Sequence, residues 1–180
     1  DISENEITAL YNNVELKNSL FKAAEKIENL PVEVVNSLLN SIEIKPTTIE
    51  LIQTLKIMGY RIIIISKAFD FFTNYLKEKL HIDYAFGCEV EVNDDLKVLT
   101  SNLNSSFFND SNRDVIINNV KKEQNVANED VVILHDQEID NLGIQVEFDM
   151  KEILNFYNQH ILSKDNLIGL MGSFGIPDLQ

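Results

Sequence analysis

The feature that most constrains the fold is an uninterrupted apolar run, Ile62-Ile63-Ile64-Ile65, which lies between Arg61 and Ser66. The run is β-branched and does not alternate with polar residues, a pattern typical of a parallel strand covered on both faces. A second run, Val131-Val132-Ile133-Leu134, has the same character, and a weaker one extends from Gly143 to Phe148. Helical patterns separate these runs, so the sequence predicts an α/β fold with a parallel sheet flanked by helices.

Helices are predicted on both sides of the first strand. In residues 4–30 apolar side chains recur at three- and four-residue steps. Pro31 is suited to the first turn of a second helix and Pro46 to that of a third, which has Thr47 as its cap and ends near Gly59. Further helical patterns cover residues 69–80, 110–124, 150–159 and 165–174.

A hairpin and two strand ends complete the expected architecture. Alternating residues on either side of Asn93-Asp94-Asp95 predict a β-hairpin from Cys88 to Leu99. Ser66 and Asp136 follow the two strongest strands. Because ligands of open α/β sheets bind at the carboxyl ends of the strands, these two residues mark the place where chemistry is expected.

Charge and composition exclude several classes of protein. The formal net charge of −14 repels nucleic acid and anionic membranes, so neither is expected as a partner. No run of about 18 apolar residues predicts a membrane span, and Asp1-Ile2-Ser3-Glu4 does not resemble the start of a signal peptide. The single cysteine, Cys88, allows no internal disulfide, which fits a reducing cytoplasm.

Several stretches of the chain form a recognisable set. They are Leu30-Pro31-Val32-Glu33, Ile65-Ser66-Lys67-Ala68-Phe69-Asp70, Tyr75 to Leu80, Asp83-Tyr84-Ala85-Phe86 and Asp165 to Leu170. Together they resemble one family, the phosphoserine phosphatases of the haloacid dehalogenase (HAD) superfamily. The similarity is most specific in the middle third of the chain and extends in register to a cap-like segment before it and a last helix after it.

The resemblance implies a HAD-like, Rossmann-like core with a small helical cap. Residues 1–45 correspond to a helical cap segment and residues 46–180 to the α/β core. Family membership implies Mg²⁺-dependent hydrolysis of phosphoserine through an aspartyl-phosphate, as part of serine biosynthesis in the cytoplasm. The D-x-D-x-T motif that supplies the nucleophile does not occur in these 180 residues, so we expect the first core strand to be missing from them.

Three positions match or replace the family's phosphate-binding residues. Ser66 corresponds to the hydroxyl residue that holds the phosphoryl group, and Arg113 takes the position of the charge-neutralising lysine. Lys67 and Ala68 stand where the family has two glycines, whose missing side chains let backbone N–H groups approach the substrate. Lys67 is therefore a candidate substrate-binding residue, or a side chain that fills the space or is solvated.

The metal motif and the cap contacts are altered more strongly. Asp136 matches the first metal-binding aspartate and Asp140 the second, but the segment after Asp140 is about seven residues shorter than in the family. The cap arginine that grips the substrate carboxylate corresponds to Ala23, and the cap phenylalanine corresponds to Leu16. Losing a guanidinium removes a charge-assisted contact worth about 2–3 kcal/mol, so phosphoserine is expected to bind poorly.

Two main functions remain open at this point. The chain is a catalytically impaired or inactive HAD domain that serves as a binding or assembly module, for example as an interaction surface in a longer regulatory protein. Alternatively, it is the C-terminal part of an active Mg²⁺-dependent phosphoserine phosphatase whose nucleophile strand lies outside it. In either case the strands at 61–66 and 131–135 lack a neighbour between them. We expect a rearranged N-terminus, a partner chain (including a second copy in a homo-oligomer) or direct pairing of the two strands to fill that slot.

Overall fold

The structure is a computed structural model, which describes residues 17–104, 113–134, 138–139, 142 and 146–148; the statements below concern these residues. Residues 17–27 form α1, and the other helices are α2 Val32–Asn40, α3 Pro46–Ile57, α4 Asp70–Leu80 and α5 Arg113–Gln124, with a 3₁₀ turn at Asn128–Asp130. The strands are β1 Ile42–Ile44, β2 Ile63–Phe69, β3 Tyr84–Cys88, β4 Val90–Asn93, β5 Val98–Leu103 and β6 Val146–Phe148.

The centre of the described fold is a parallel pair of strands, β2 and β3, connected by α4. Ile63 lies opposite Tyr84 and Ile65 opposite Phe86, and after a register shift Phe69 lies opposite Cys88. The connecting helix ends at Leu80, and its C-cap residue His81, with a left-handed backbone (φ 53°), turns the chain toward β3. This pair and its flanking helices confirm the predicted α/β class with a parallel sheet.

The predicted hairpin is also present, as β4 and β5. Asn93 Oδ1 accepts hydrogen bonds from the backbone N–H groups of Asp95 (3.1 Å) and Leu96 (3.0 Å), which closes the turn. Near the turn, the hairpin is bonded to the loop between α1 and α2: Asn29 donates to the Leu99 carbonyl at 2.9 Å, and Leu99 donates to the Leu30 carbonyl at 2.9 Å. The hairpin therefore bridges the helical segment and the β2–β3 pair.

One apolar cluster joins the helical segment to the rest of the fold. It brings residues of α1 and α2 into contact with buried residues of β2, β3 and the hairpin, including Ala24, Ile27, Leu38, Phe69, Cys88 and Leu99. A smaller cluster, formed by Ile52, Leu80 and Ile82, lies under α3 and α4. The predicted division into a helical cap segment (residues 1–45) and an α/β core (residues 46–180) stays a prediction. No helix within the described stretches has the length and apolar character needed to cross a membrane.

Two local predictions need correction. The first strand does not end at Ser66, because β2 continues to Phe69, whose side chain is fully buried and whose backbone pairs with Cys88. Thr47 is not the cap of α3. Pro46 occupies the first helical turn, so the extended residue before it, Lys45, takes the cap position, and no side-chain hydrogen bond caps the helix there.

The second predicted strand is wrong for residues 131–134, which have no regular structure. Val132, Ile133 and Leu134 are 73%, 44% and 41% exposed. An apolar strand of this kind needs neighbours at its edges and cover on its faces, and no strand of the described residues supplies them. These residues therefore do not pair directly with β2, whose described partner is β3.

The third predicted strand is confirmed only in part. Val146–Phe148 forms β6, which pairs antiparallel with β1, while residues 143–145 lie outside the described part. The strands β1 and β3 had no strand prediction, since β1 has three residues and β3 contains a glycine. The helices predicted at 150–159 and 165–174 and the first part of the helix at 4–30 also lie outside the described residues.

Candidate functional site

The candidate site lies at the junction between β2 and α4, formed by Ser66, Lys67, Ala68 and Phe69. Ser66 is half-buried and Lys67 is exposed, whereas Ala68 and Phe69 turn inward into the core. Apolar anchoring of the last two residues fixes the end of the strand. The hydroxyl and ammonium groups of the first two stay at or near the surface.

The Ser66 side chain is tied to its own backbone. Its Oγ accepts a hydrogen bond from the Ala68 N–H at 3.1 Å, so this backbone donor is already occupied within the chain. The Ser66 O–H group keeps its own proton to donate. This junction therefore offers an anion a hydroxyl donor and the neighbouring Lys67 ammonium group rather than a loop of backbone amides.

A glycine on the neighbouring strand lets the junction pack closely. A Cβ atom built on Gly87 would lie 2.8 Å from Thr73 Oγ1 and 2.9 Å from both the Ala68 carbonyl oxygen and Asp70 Cα. Thr73 is fully buried, and its Oγ1 donates to the Asp70 carbonyl at 3.1 Å. The missing side chain of Gly87 thus allows β3 to approach the first turn of α4.

Asp70 connects this junction to the hairpin. Its Oδ1 accepts a hydrogen bond from the Val90 N–H at 3.2 Å. Burial raises the pKa of the Asp70 carboxyl, the Val90 bond opposes that shift, and the nearby Glu89 carboxylate adds to it. The same surroundings act on Cys88: burial, then Asp70 and Glu89, raise the pKa of its thiol to about 12, so it is a buried and unreactive cysteine.

An open cleft of about 440 Å³ borders Asp70 on the hairpin side. Glu91 accepts a hydrogen bond from Asn102 Nδ2 at 2.7 Å, and Glu89 is similarly bonded to Asn104. The three acidic side chains that line the cleft disfavour an anion there. The hydroxyl and ammonium groups of Ser66 and Lys67 are the anion-attracting groups of the junction.

Arg113 does not contact Ser66 or Lys67 in the described structure. It begins α5, is 48% exposed on its side chain, and pairs with Asp114 (Nε to Oδ1, 3.5 Å). The other end of α5 is tied to the start of β3, where the Tyr84 hydroxyl donates to Glu123 Oε1 (2.9 Å) and accepts from Gln124 Nε2 (2.7 Å).

The predicted metal ligands, Asp136 and Asp140, lie outside the described residues, as does Leu16 of the cap. Within the stretches that are described, no group of three or more His, Cys, Asp or Glu side chains is placed to hold a metal. Ala23 packs against the main apolar cluster instead of reaching toward a ligand. The described residues thus form no site that fits Mg²⁺.

Sequence reasoning did not single out Asp70, Gly87 or Tyr84 as contributors to this site. The sequence carries one usable signal, a glycine inside a strand, which often marks a close approach of two backbones. The roles of Asp70 and Tyr84 depend on contacts with residues 20 and 39–40 positions away, which no local pattern encodes.

Comparison with known proteins identifies relatives of this fold and site. No protein-family model matches the chain. A phosphoserine phosphatase of Archaeoglobus fulgidus is 30% identical over 174 residues, which cover 94% of this chain and 50% of that protein. A phosphoserine phosphatase of Methanocaldococcus jannaschii is 28% identical over 151 residues, covering 81% of this chain and 71% of that protein. The chain thus spans about half the length of the Archaeoglobus relative.

Solved structures show the same relationship. A HAD-family hydrolase of Salmonella enterica serovar Typhi superposes with a TM-score of 0.57 and 26% identity, covering 71% of this chain and 45% of that one. A substrate-bound phosphoserine phosphatase superposes with a TM-score of 0.50 and 30% identity, covering 58% of this chain and 49% of that one. Together with the parallel β2–β3 pair, the flanking helices and the hairpin, these similarities identify the chain as a phosphoserine phosphatase-like member of the haloacid dehalogenase superfamily.

Proposed function

We propose that this domain binds a phosphate-bearing ligand at Ser66 and Lys67 without hydrolysing it and serves as a binding or assembly module. The observation that carries the proposal is the β2–α4 junction. There a half-buried serine is followed directly by an exposed lysine, while Ser66 Oγ occupies the Ala68 N–H and the strand continues to Phe69. The 180 residues contain no D-x-D-x-T motif to supply an attacking carboxylate.

The contacts at the C-terminal end of α5 support a contribution from Arg113. The Tyr84 bonds hold the C-terminal end of α5 beside the start of β3. A connecting helix that runs antiparallel to the strands, as is usual in α/β sheets, carries its first residue toward their carboxyl ends. Arg113 lies eleven residues before Gln124, a rise of about 16 Å that matches the length of a short strand. We propose that Arg113 adds positive charge near the Ser66 junction.

A second function is favoured by the extent of the similarity. Because the chain matches about half of the Archaeoglobus phosphatase, it is alternatively the C-terminal part of an active phosphoserine phosphatase whose nucleophile strand lies outside these residues. Phosphoserine phosphatases of this superfamily generally use Mg²⁺. In that case Asp136 and Asp140 would provide oxygen ligands for it, and the protein would act in serine biosynthesis.

We also propose that another segment completes the sheet beside β2. Among the described strands β2 pairs with β3 alone, and the apolar residues 132–134 are exposed. Edges and surfaces of this kind bind an added strand readily. A second copy of the chain, a partner segment or the N-terminal residues would supply it. The proposed location is the cytoplasm, where a single buried cysteine needs no disulfide partner.

Activity and binding are tested on the same preparation. Wild type and Asp136→Asn are incubated with phosphoserine and with p-nitrophenyl phosphate in Mg²⁺. Inorganic phosphate is then titrated while the amide signals of residues 66–68 are followed by NMR. We expect no turnover, and phosphate-dependent shifts that Ser66→Ala abolishes and Lys67→Gly weakens. Turnover that Asp136→Asn removes would contradict the non-catalytic function.

Two further measurements separate the alternatives. If the chain is part of an active phosphatase, adding a first-strand segment that carries D-x-D-x-T should produce turnover in trans, and the binding-module proposal predicts none. Sheet completion is tested by light scattering over a range of concentrations together with amide exchange of β2. The proposal would be contradicted by a monomer in which the β2 amides on the side away from β3 exchange as fast as those of an unpaired strand.

A further inference from the structure

The β2–α4 junction is held from the hairpin side by one carboxylate. Asp70 is the first residue of α4 and follows Ser66 by four positions. Its Oδ1 accepts the Val90 N–H of β4, while its own carbonyl accepts the Thr73 hydroxyl. Side chain and backbone of one residue are thus fixed in two directions, immediately after the segment that carries Ser66 and Lys67.

The hairpin to which Asp70 is bonded is itself anchored at its far end. The Leu99 N–H donates to the Leu30 carbonyl, and the Val32 N–H donates to the Lys97 carbonyl at 3.0 Å. Val90 and Leu99 are buried in the main apolar cluster. The hairpin is therefore a fixed support, and the Asp70–Val90 bond connects the first residue of α4, directly after the end of β2, to it.

The buried side chains of Ala68 and Phe69 anchor the inner side of the junction, but they make no hydrogen bond to the hairpin backbone as Asp70 does. Gly87 permits close approach but provides no side-chain hydrogen bond, and the Ser66–Ala68 bond lies within the segment itself. We propose that Asp70 is a positioning residue, which holds Ser66 and Lys67 in place for anion binding by tethering their segment to the β4 backbone. The proposal deepens the proposed function and rests on it for the identity of the ligand.

The acceptor atom, rather than the negative charge, is the feature that the tether needs. Asn at position 70 keeps an oxygen that accepts the Val90 N–H, whereas Ala removes it. The charge itself opposes an anion at the neighbouring Lys67. Asp70→Asn should therefore keep the segment in place and bind phosphate at least as tightly as wild type, and Asp70→Ala should loosen both.

The experiment compares wild type, Asp70→Asn and Asp70→Ala, with the exposed Asp95→Ala as control, by amide hydrogen exchange without ligand and by phosphate titration. In Asp70→Ala we expect both Val90 and Ala68 amides to exchange about fivefold to tenfold faster, the equivalent of one lost hydrogen bond. Phosphate affinity should fall by a similar factor. Asp70→Asn should stay within about twofold of wild-type exchange at both amides.

Two outcomes would overturn the inference. If Asp70→Ala accelerates exchange at Val90 but not at Ala68, the bond supports the hairpin alone and does not position Ser66. If Asp70→Asn fails to restore Ala68 protection, the carboxylate acts through its charge. A wild type that binds no phosphate but shows the expected exchange pattern would instead reject the proposed function while leaving Asp70 as the residue that fixes the junction.

Discussion

The two ends of the β2–β3 pair each carry a carboxylate, in opposite surroundings. At the starting end, Asp83 accepts the Ile62 N–H at 2.9 Å and lies 3.2 Å from Arg61 Nη1 and 3.5 Å from Lys56 Nζ. At the carboxyl end, Asp70 accepts the Val90 N–H at 3.2 Å and lies near Glu89, with no cation beside it among the described contacts.

For this reason the pKa values of the two carboxyl groups are shifted in opposite directions. Burial alone raises the pKa of Asp83, but the Ile62 bond, Lys56 and Arg61 together outweigh it and lower the pKa. Burial raises the pKa of Asp70, and Glu89 adds to that shift. The starting end is thus built for stability, while the carboxyl end keeps a carboxylate in an unfavourable environment. Perturbed groups of that kind are found preferentially at binding and catalytic sites.

Among the variants that test this comparison, Gly87→Ala is expected to have the largest effect on stability. The added Cβ meets the Ala68 carbonyl and Asp70 Cα at 2.9 Å, and these backbone atoms cannot rotate away as a side chain would. We expect a loss of about 3 kcal/mol in the free energy of unfolding, measured in urea.

Gly59→Ala is the matched control for that loss. Gly59 has no atom within 4 Å of an added Cβ, but its φ of 91° is left-handed. Its replacement should cost about 1 kcal/mol through backbone conformation alone. An equal cost at both positions would show that the carboxyl end is less tightly packed than the contacts of Gly87 indicate.

Asp83→Ala should have the next largest effect. It leaves the partly buried Ile62 N–H without its acceptor and removes the partner of two cations from a side chain that is only 15% exposed. Unfolding free energy should fall by about 2 kcal/mol. Asp83→Asn should lose less, since its amide oxygen still accepts the N–H, and the exposed Asp94→Ala should lose at most about 0.5 kcal/mol. No difference between the Ala and Asn variants at position 83 would contradict the role of the Ile62 bond.

The two ends also differ in how well the sequence predicts them. The run at Ile62–Ile65 specifies a strand because its side chains are β-branched and continuous, and Gly59 marks the preceding helix end by its backbone freedom. The equally apolar Val131–Leu134 has no regular structure, because a strand of this type also needs neighbours that local sequence does not supply.

At the carboxyl end, the sequence predicts Ser66 from its position directly after the apolar run. The continuation to Phe69 and the contacts of Gly87 and Asp70 arise from tertiary packing, so no local pattern predicts them.

A smaller effect, the pH dependence of stability, also distinguishes the two ends of the β2–β3 pair. A raised pKa at Asp70 means that the folded state binds its proton more tightly than the unfolded chain, where the ordinary value is 3.8. The resulting stability is fully present below that value and is lost as pH rises through the folded-state pKa. Asp70→Asn should therefore raise Tm at about pH 7 and leave it nearly unchanged at about pH 3.

Asp83→Asn should show the opposite dependence. Its lowered pKa provides stability above the unfolded value of 3.8, and this stability is lost as pH falls through the folded-state pKa. The variant should be less stable than wild type at neutral pH, with the difference disappearing in acid. Thermal unfolding of both variants across this range tests the signs together, and parallel curves for the two would contradict the contrast between the ends.

The smallest effect is expected from Tyr84→Phe, which tests how the starting end controls the carboxyl end. The change keeps the ring that stacks on Phe86 and removes only the hydroxyl that bonds Glu123 and Gln124. Global stability should fall by less than in Asp83→Ala, because these bonds lie near the surface. Amide exchange should become faster throughout α5, and if α5 positions Arg113, phosphate binding should weaken as well.

The matched control is Glu123→Gln, whose amide oxygen still accepts the proton of the Tyr84 hydroxyl, so the α5 amides should stay protected from exchange. Faster exchange in α5 with unchanged phosphate affinity would show that Arg113 does not contribute to anion binding at Ser66.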